Sequence, residues 1–197
     1  MRGHTFFSKT FILILSSFFL AGACTWSSHE ANIYIAQPTV QPNIANGQEI
    51  IFTILDDRDE TSIGNRGVGR VGAKVSAQDP VGQIERIIRQ GLLEKGYILT
   101  SIYGENTKQL LVRVRALNFH HEMGFWSGSE NTTVVIAAEA ENGNLDYRQT
   151  YRYSNEDKAV FVAGGKEIDD HLNAGLNLVV SELLNDRALD QFLLATD

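Results

Sequence analysis

A chain of 197 residues with a single cysteine, Cys24, can close no internal disulfide and build no cysteine-cluster zinc site. A hydrophobic core therefore has to hold it folded. At 43% hydrophobic and 21% charged residues, with three prolines, the sequence can supply one. The length fits one domain rather than two. Charge removes a further class of function. Seventeen basic residues against 24 acidic ones leave a net charge of -7, with no field to draw in nucleic acid or an anionic membrane surface. No nucleic-acid partner is expected.

The position of that cysteine carries information. Arg2, His4 and Lys9 precede an apolar run, residues 11–15 and 18–20, which ends in Ala21, Gly22 and Ala23. Basic start, apolar centre and small-residue end have the order of a secretory signal peptide. With Ser16 and Ser17 interrupting it, the run falls short of the roughly 20 apolar residues of a permanent span. Leu20-Ala21-Gly22-Ala23-Cys24 resembles the lipobox of bacterial lipoproteins, with Ala21 where leucine is commonest. There a cysteine thiol takes up diacylglycerol as a thioether, and the α-amine freed by cleavage is acylated. Two or three acyl chains, at about 0.8 kcal/mol per buried CH₂, hold a protein to a bilayer almost irreversibly. Thr25, rather than aspartate, follows Cys24, which points to the outer membrane with the domain facing the periplasm. The expected division is a signal peptide over 1–23, a lipidated Cys24 with a tether over 24–47, and one periplasmic domain over 48–197. Cleavage removes Arg2 and Lys9 and no acid, so the mature chain carries 15 basic and 24 acidic residues, or -9.

In the tether, Pro38, Pro42, Asn43, Asn46 and Gly47 show little period, although Ile33-Tyr34-Ile35 could pair as an edge strand. Ile50, Phe52 and Ile54 begin the domain in a nearly continuous apolar strand. Asp79-Pro80 then supplies an N-cap and a first-turn proline. Val81, Ile84, Ile87, Ile88 and Leu92 make a helical stripe, and Lys95-Gly96 closes the helix with a cation and a C′ glycine. Residues 97–100, 110–116, 132–140 and 145–153 read as strands, the last two joined by the turn signal Glu141-Asn142-Gly143-Asn144. Ile168, Leu172, Leu176, Val179 and Leu183 mark a second long helix, with a short one near 189–194. The economical architecture is α+β: an antiparallel sheet of about four strands with two main helices on one face, a two-layer sandwich in the order β-α-β-β-β-α.

A family resemblance rests on the order of these parts. The cysteine after the signal, the strand ending in Asp57-Arg58, Ile63-Gly64-Asn65-Arg66, the helix closing in Lys95-Gly96-Tyr97, and Leu183-Leu184-Asn185-Asp186 running into Ala188-Leu189-Asp190-Gln191-Phe192-Leu193 together resemble the YajG family of bacterial envelope lipoproteins. The resemblance covers nearly the whole mature chain and implies an outer-membrane lipoprotein without an assigned catalytic activity.

Candidate chemistry is sparse. Gly67-Val68-Gly69-Arg70-Val71-Gly72 has the letters of a dinucleotide fingerprint but does not join a strand directly to a helix; an irregular loop is the better reading. In His120-His121-Glu122 the adjacent histidines of a strand point to opposite faces, so both do not serve one ion, and no metal site is expected. Asp56-Asp57-Arg58-Asp59-Glu60 lacks calcium-loop spacing and reads as local charge pairing. Asn131-Thr132-Thr133 spells a glycosylation acceptor, without meaning in a bacterial protein. No nucleophile motif surrounds any serine. No catalytic residue and no cofactor are expected. Phe125-Trp126, between glycines at the tip of a hairpin, is the candidate partner contact. The leading expectation is a non-enzymatic accessory or structural subunit docking onto an envelope complex for transport, secretion or outer-membrane assembly. The alternative is a periplasmic binding module for a small molecule or cell-wall glycan.

Overall fold

Helix formation starts where the sequence supplies a cap. In the computed structural model, which describes residues 27–66, 72–104, 107–123, 128–159 and 163–195, Asp79 Oδ1 accepts from Gly82 N at 3.1 Å and α1 runs Pro80–Glu94. Ile84, Ile88 and Leu92 are buried on it, with Val81 and Ile87 packed alongside. The chain ahead of the helix finishes its other end. A turn over residues 42–47 presents Asn43 N to Glu94 O at 3.1 Å, Ala45 N to Lys95 O at 2.8 Å and Gly47 N to Gly96 O at 2.9 Å, so carbonyls that a helix end leaves open are partnered. Gly96 stands at φ 88°, and a Cβ there would lie 3.1 Å from Asn43 Cα. Glycine permits that approach.

The sheet departs from expectation. In place of about four antiparallel strands in the order β-α-β-β-β-α, the described residues form an eight-stranded mixed sheet in which four of seven pairings are parallel. Its strands are β1 (His29–Glu30), β2 (Glu49–Asp56), β3 (Gly64–Arg66), β4 (Ala73–Ser76), β5 (Ile98–Leu99), β6 (Lys108–Met123), β7 (Gly128–Asn142) and β8 (Leu145–Ala159). The physical reason is α1. A helix between two strands returns the chain to its starting end, so the next strands run parallel to the first. Accordingly β5 and β6 both lie parallel to β2, the latter from Ile50↔Lys108 to Asp56↔Val114. Alternation of apolar residues reports which face a strand buries and carries no information about its direction.

β6 organises the rest. One edge pairs antiparallel with β7, and β7 with β8 through a turn in which Gly143 has φ 57°. The other edge is divided between β2 and β3, with Gly64↔Phe119 and Asn65↔His120 for the latter. β3 carries β4, which carries β1. Gly64 holds φ 148°, and a Cβ there would fall 1.8 Å from Phe119 O; another residue would keep β3 off β6. The glycine-rich stretch expected as an irregular loop, Gly67 to Gly72, is thus flanked by two short strands. The fingerprint letters there lead from β3 to β4 and not to a helix, and residues 67–71 lie outside the described residues.

Helices α2 (Gly165–Leu184) and α3 (Arg187–Leu194) complete the covering layer. α2 packs on β7 and β8, α3 on β7, and α1 on β2 and against α2. Phe52, Leu110, Ala140 and Tyr147 stand in register beneath them. The neighbouring row, Thr53, Leu111, Glu139 and Arg148, is half-buried to exposed on the open face.

In the segment expected as a tether, Ala31, Ile33 and Ile35 are buried and Asn32, Tyr34 and Ala36 exposed. Ile33-Tyr34-Ile35 bonds to α2 instead of a sheet edge. Asn32 N donates to Asp169 Oδ1 at 3.1 Å, Tyr34 N to Asn173 Oδ1 at 2.8 Å and Ala36 N to Asn177 Oδ1 at 2.7 Å. Asn173 and Asn177 donate back to the carbonyls of Asn32 and Tyr34. The two repeats are commensurate: four helical residues rise about 6 Å, and two extended residues about 6.6 Å.

Ile88→Ala is expected to cost about 2–5 kcal/mol through cavity formation. Asp79→Ala, which loses the cap, should cost about 1–2 kcal/mol. Urea titration of both variants checks the order, and an Asp79 variant as destabilised as the Ile88 one would show that the stripe is not the anchor.

Candidate functional site

Of the residues singled out in the sequence, Cys24, Phe125 and Trp126 lie outside the described residues. Met123↔Gly128 is the last pair of the β6–β7 hairpin. Arg66 Nη2 donates to Ser27 O at 2.8 Å and Ser27 Oγ at 3.0 Å, which holds the backbone three residues after Cys24 beside the end of β3. β3 runs parallel to β6 there. Ser27 and the last β6–β7 pair, Met123↔Gly128, therefore share one end of the sheet.

Just inside that end, alternation on β6 turns His120 outward and His121 inward. His121 stands opposite Glu130 on β7, with Nδ1 3.3 Å from Glu130 Oε1 and both side chains almost fully buried. Above them, Glu167 and His171 project from one face of α2, four residues apart. One ligand atom from each of Glu130, Glu167 and His171 lies within 4.8 Å of the other two. His171 Nδ1 is 3.5 Å from Asp157 Oδ2 without forming a hydrogen bond. Burial pushes the Glu130 carboxyl up and the charge of Glu167 adds to this, while His121 and His171 oppose it. His121 Nε2 and Thr132 Oγ1, both buried, have no hydrogen-bond partner among the described residues, a state that costs about 1–3 kcal/mol per group. Carboxylate and imidazole donors crowded together can hold a divalent cation. Sequence reading marks His121 only as part of His120-His121-Glu122, with no metal site expected there, and does not mark Glu130, Glu167 or His171. The available signal was Glu167 and His171 at helical spacing; the pairing of His121 with Glu130 depends on strand register.

A second polar group has a structural role. Asp186 caps α3, accepting from Ala188 N at 2.8 Å and Leu189 N at 3.3 Å, and its Oδ2 accepts from the hydroxyls of Tyr147 at 2.6 Å and Tyr151 at 2.7 Å. Burial alone would raise the Asp186 carboxyl, but these donors outweigh it and hold it below the ordinary carboxylate range. Burial, with the hydrogen bond to Asp186, pushes the Tyr147 hydroxyl up to about 12. Lys95, expected to complement its own helix, is buried and serves another: Nζ donates to Leu184 O at the end of α2 at 2.8 Å and pairs with Asp190. Lys108 Nζ does the same for α3, donating to Leu193 O at 2.9 Å. Each meets the negative end of a helix dipole.

At the end of β2, Arg58 forks onto Asp56 with two bonds of 2.7 Å, the expected local pairing, and holds the Asp56 carboxyl low. A cavity of about 480 Å³ opens beside it, lined by Arg58, Asp59, Glu60, Ser62, Asn118 and His120 among others. No described helix is long and apolar enough to cross a membrane.

The Lipoprotein_16 family, described as uncharacterized lipoproteins, matches residues 36–194. The chain belongs to this family. It is the YajG family that the sequence resembles, and membership implies anchoring to a membrane through lipid. A crystal structure of a Xanthomonas campestris protein of family DUF330 is similar to this lipoprotein at TM-score 0.51 and 10% identity, covering 81% of this chain and 93% of the other. A crystal structure of an uncharacterized protein gives 0.49 and 9%, covering 80% and 97%. A Helicobacter pylori homologue of neuraminyllactose-binding hemagglutinin gives 0.42 and 8%, covering 81% and 96%. At such identities only the fold is shared, and only the first reaches the score for that. No protein of curated function matches the chain.

Asp186→Asn keeps a cap acceptor and removes the charge, so it is expected to lower stability by about 1.5–3 kcal/mol at neutral pH. Because the carboxyl is held low, its contribution is complete above the ordinary carboxylate pKa of about 4 and is lost as pH falls through the folded value. Denaturant titrations at neutral and acidic pH should show the gap to the variant closing in acid. A constant gap would refute the assignment.

Proposed function

We propose that this YajG-family lipoprotein is held by acyl chains on Cys24 in the outer membrane after removal of residues 1–23, faces the periplasm, and acts as a non-enzymatic accessory subunit docking onto an envelope complex for transport, secretion or outer-membrane assembly. The observation that carries this reading is the one-sided sheet. Helices cover one face, and β8, fifteen residues long, bonds to β7 alone among the described strands. A long free edge is a template for adding a partner's strand. The partner is reached close to the bilayer. Ser27 follows Cys24 by three residue steps, a span of about 11 Å at most, and the segment with Phe125 and Trp126 follows Met123 at the same end. An aromatic pair in that position suits contact with a membrane-embedded component of a complex. A binding module for a small molecule or cell-wall glycan is the second reading, with the 480 Å³ cavity in its favour because it falls within the size range of ligand pockets.

Cys24→Ser is expected to abolish incorporation of labelled palmitate and to release the protein from the membrane fraction; equal labelling of variant and wild type refutes the anchor. Phe125→Ala with Trp126→Ala should leave the melting temperature nearly unchanged and remove the dominant partner from affinity purifications of cross-linked membranes. A large fall in melting temperature would instead put both rings in the core.

A further inference from the structure

We propose that Glu130, Glu167 and His171 form a binding site for one divalent cation of the zinc class, which pins the turn end of the β6–β7 hairpin to the first turns of α2. The three donors come from two separate elements, yet one ligand atom from each lies within 4.8 Å of the others, close enough to share an ion. Two carboxylates neutralise a dication, and the mixture of carboxylate oxygen and imidazole nitrogen matches first-row ions such as zinc better than calcium or magnesium.

The surroundings supply what ligands of this kind require. His121, with no exposed side-chain surface, places Nδ1 3.3 Å from Glu130 Oε1, and Asp157 Oδ2 lies 3.5 Å from His171 Nδ1. The first is a contact of the sort that orients a ligating group from behind, and the second sets a carboxylate beside the His171 ring. Without a cation the arrangement is poorly satisfied: two carboxylates face each other in a partly buried site, and His121 Nε2 has no partner among the described residues although its ring is packed against Glu130. Glu167 is exposed, which gives an ion access from solvent. The role is a cross-link. At the membrane-proximal end of the sheet, a bound ion would fix the strand ends from which the segment containing Phe125 and Trp126 departs, independently of whether that segment contacts a partner.

The test uses the mature full-length lipoprotein in detergent, stripped with a chelator and titrated with Zn²⁺ by calorimetry, alongside a Cys24→Ser preparation to remove any thiol. One ion per chain is expected in both, with a rise of several degrees in melting temperature. Glu167→Gln and His171→Asn, both at partly or fully exposed positions, should each weaken binding at least tenfold while leaving the ion-free melting temperature unchanged. Glu130→Gln should abolish binding; because Glu130 is buried, the other two variants decide the matter if it fails to fold. His120→Asn, on the opposite face, should bind as wild type. Lack of saturable binding, unchanged affinity in Glu167→Gln and His171→Asn, or loss of binding in His120→Asn or Cys24→Ser would each overturn the proposal.

Discussion

Backbone polar groups in a long buried strand have to be paired along both edges, and β6 meets that demand with three partners. β7 follows its whole length on one side, while β2 and then β3 divide the other. Moving β6 by one residue would exchange Leu110, Val112 and Val114 with their outward neighbours and empty the core. The register of β6 therefore sets the position of β2 and of the short strands that hang from β3. It also brings His121 opposite Glu130.

The helical layer is secured by polar contacts at its ends as much as by its apolar stripes. α1 is finished by amides of the preceding turn, α2 by the buried Lys95, and α3 by Asp186 at its start and Lys108 at its end. Each buried cation sits on carbonyl oxygens and satisfies groups that would otherwise be left dry. The strap over residues 31–36 follows the same logic. Its inward residues join the core, and its outward amides find side chains on α2 spaced to match them.

One consequence of this topology concerns orientation. Because β3 lies parallel to β6, and Arg66 at its end holds Ser27, Ser27 sits at the end of the sheet where the pairing of β6 with β7 finishes at Met123↔Gly128. Ser27 and the His–Glu cluster are thereby gathered at one end of the sheet. β8, which pairs with β7 alone among the described strands, also reaches that end at Gly128↔Ala159.

Much was legible in the chain itself. Local rules sufficed for the cap at Asp79, the stripes of α1 and α2 and the Asn142 to Leu145 turn, because each depends on residues within one or two turns of each other. Family membership was legible too, from the order of parts. Strand direction was not, since apolar alternation is the same in parallel and antiparallel strands, and neither was the use of Lys95 by a helix 89 residues later. The strap looked like a linker because its backbone partners, Asp169, Asn173 and Asn177, lie about 140 residues away. The cluster of Glu130, Glu167 and His171 is of the same kind. Residue type and helical spacing mark its members singly, but only the packing of α2 over β7 brings their donor atoms together, because that proximity is a property of the fold and not of any segment.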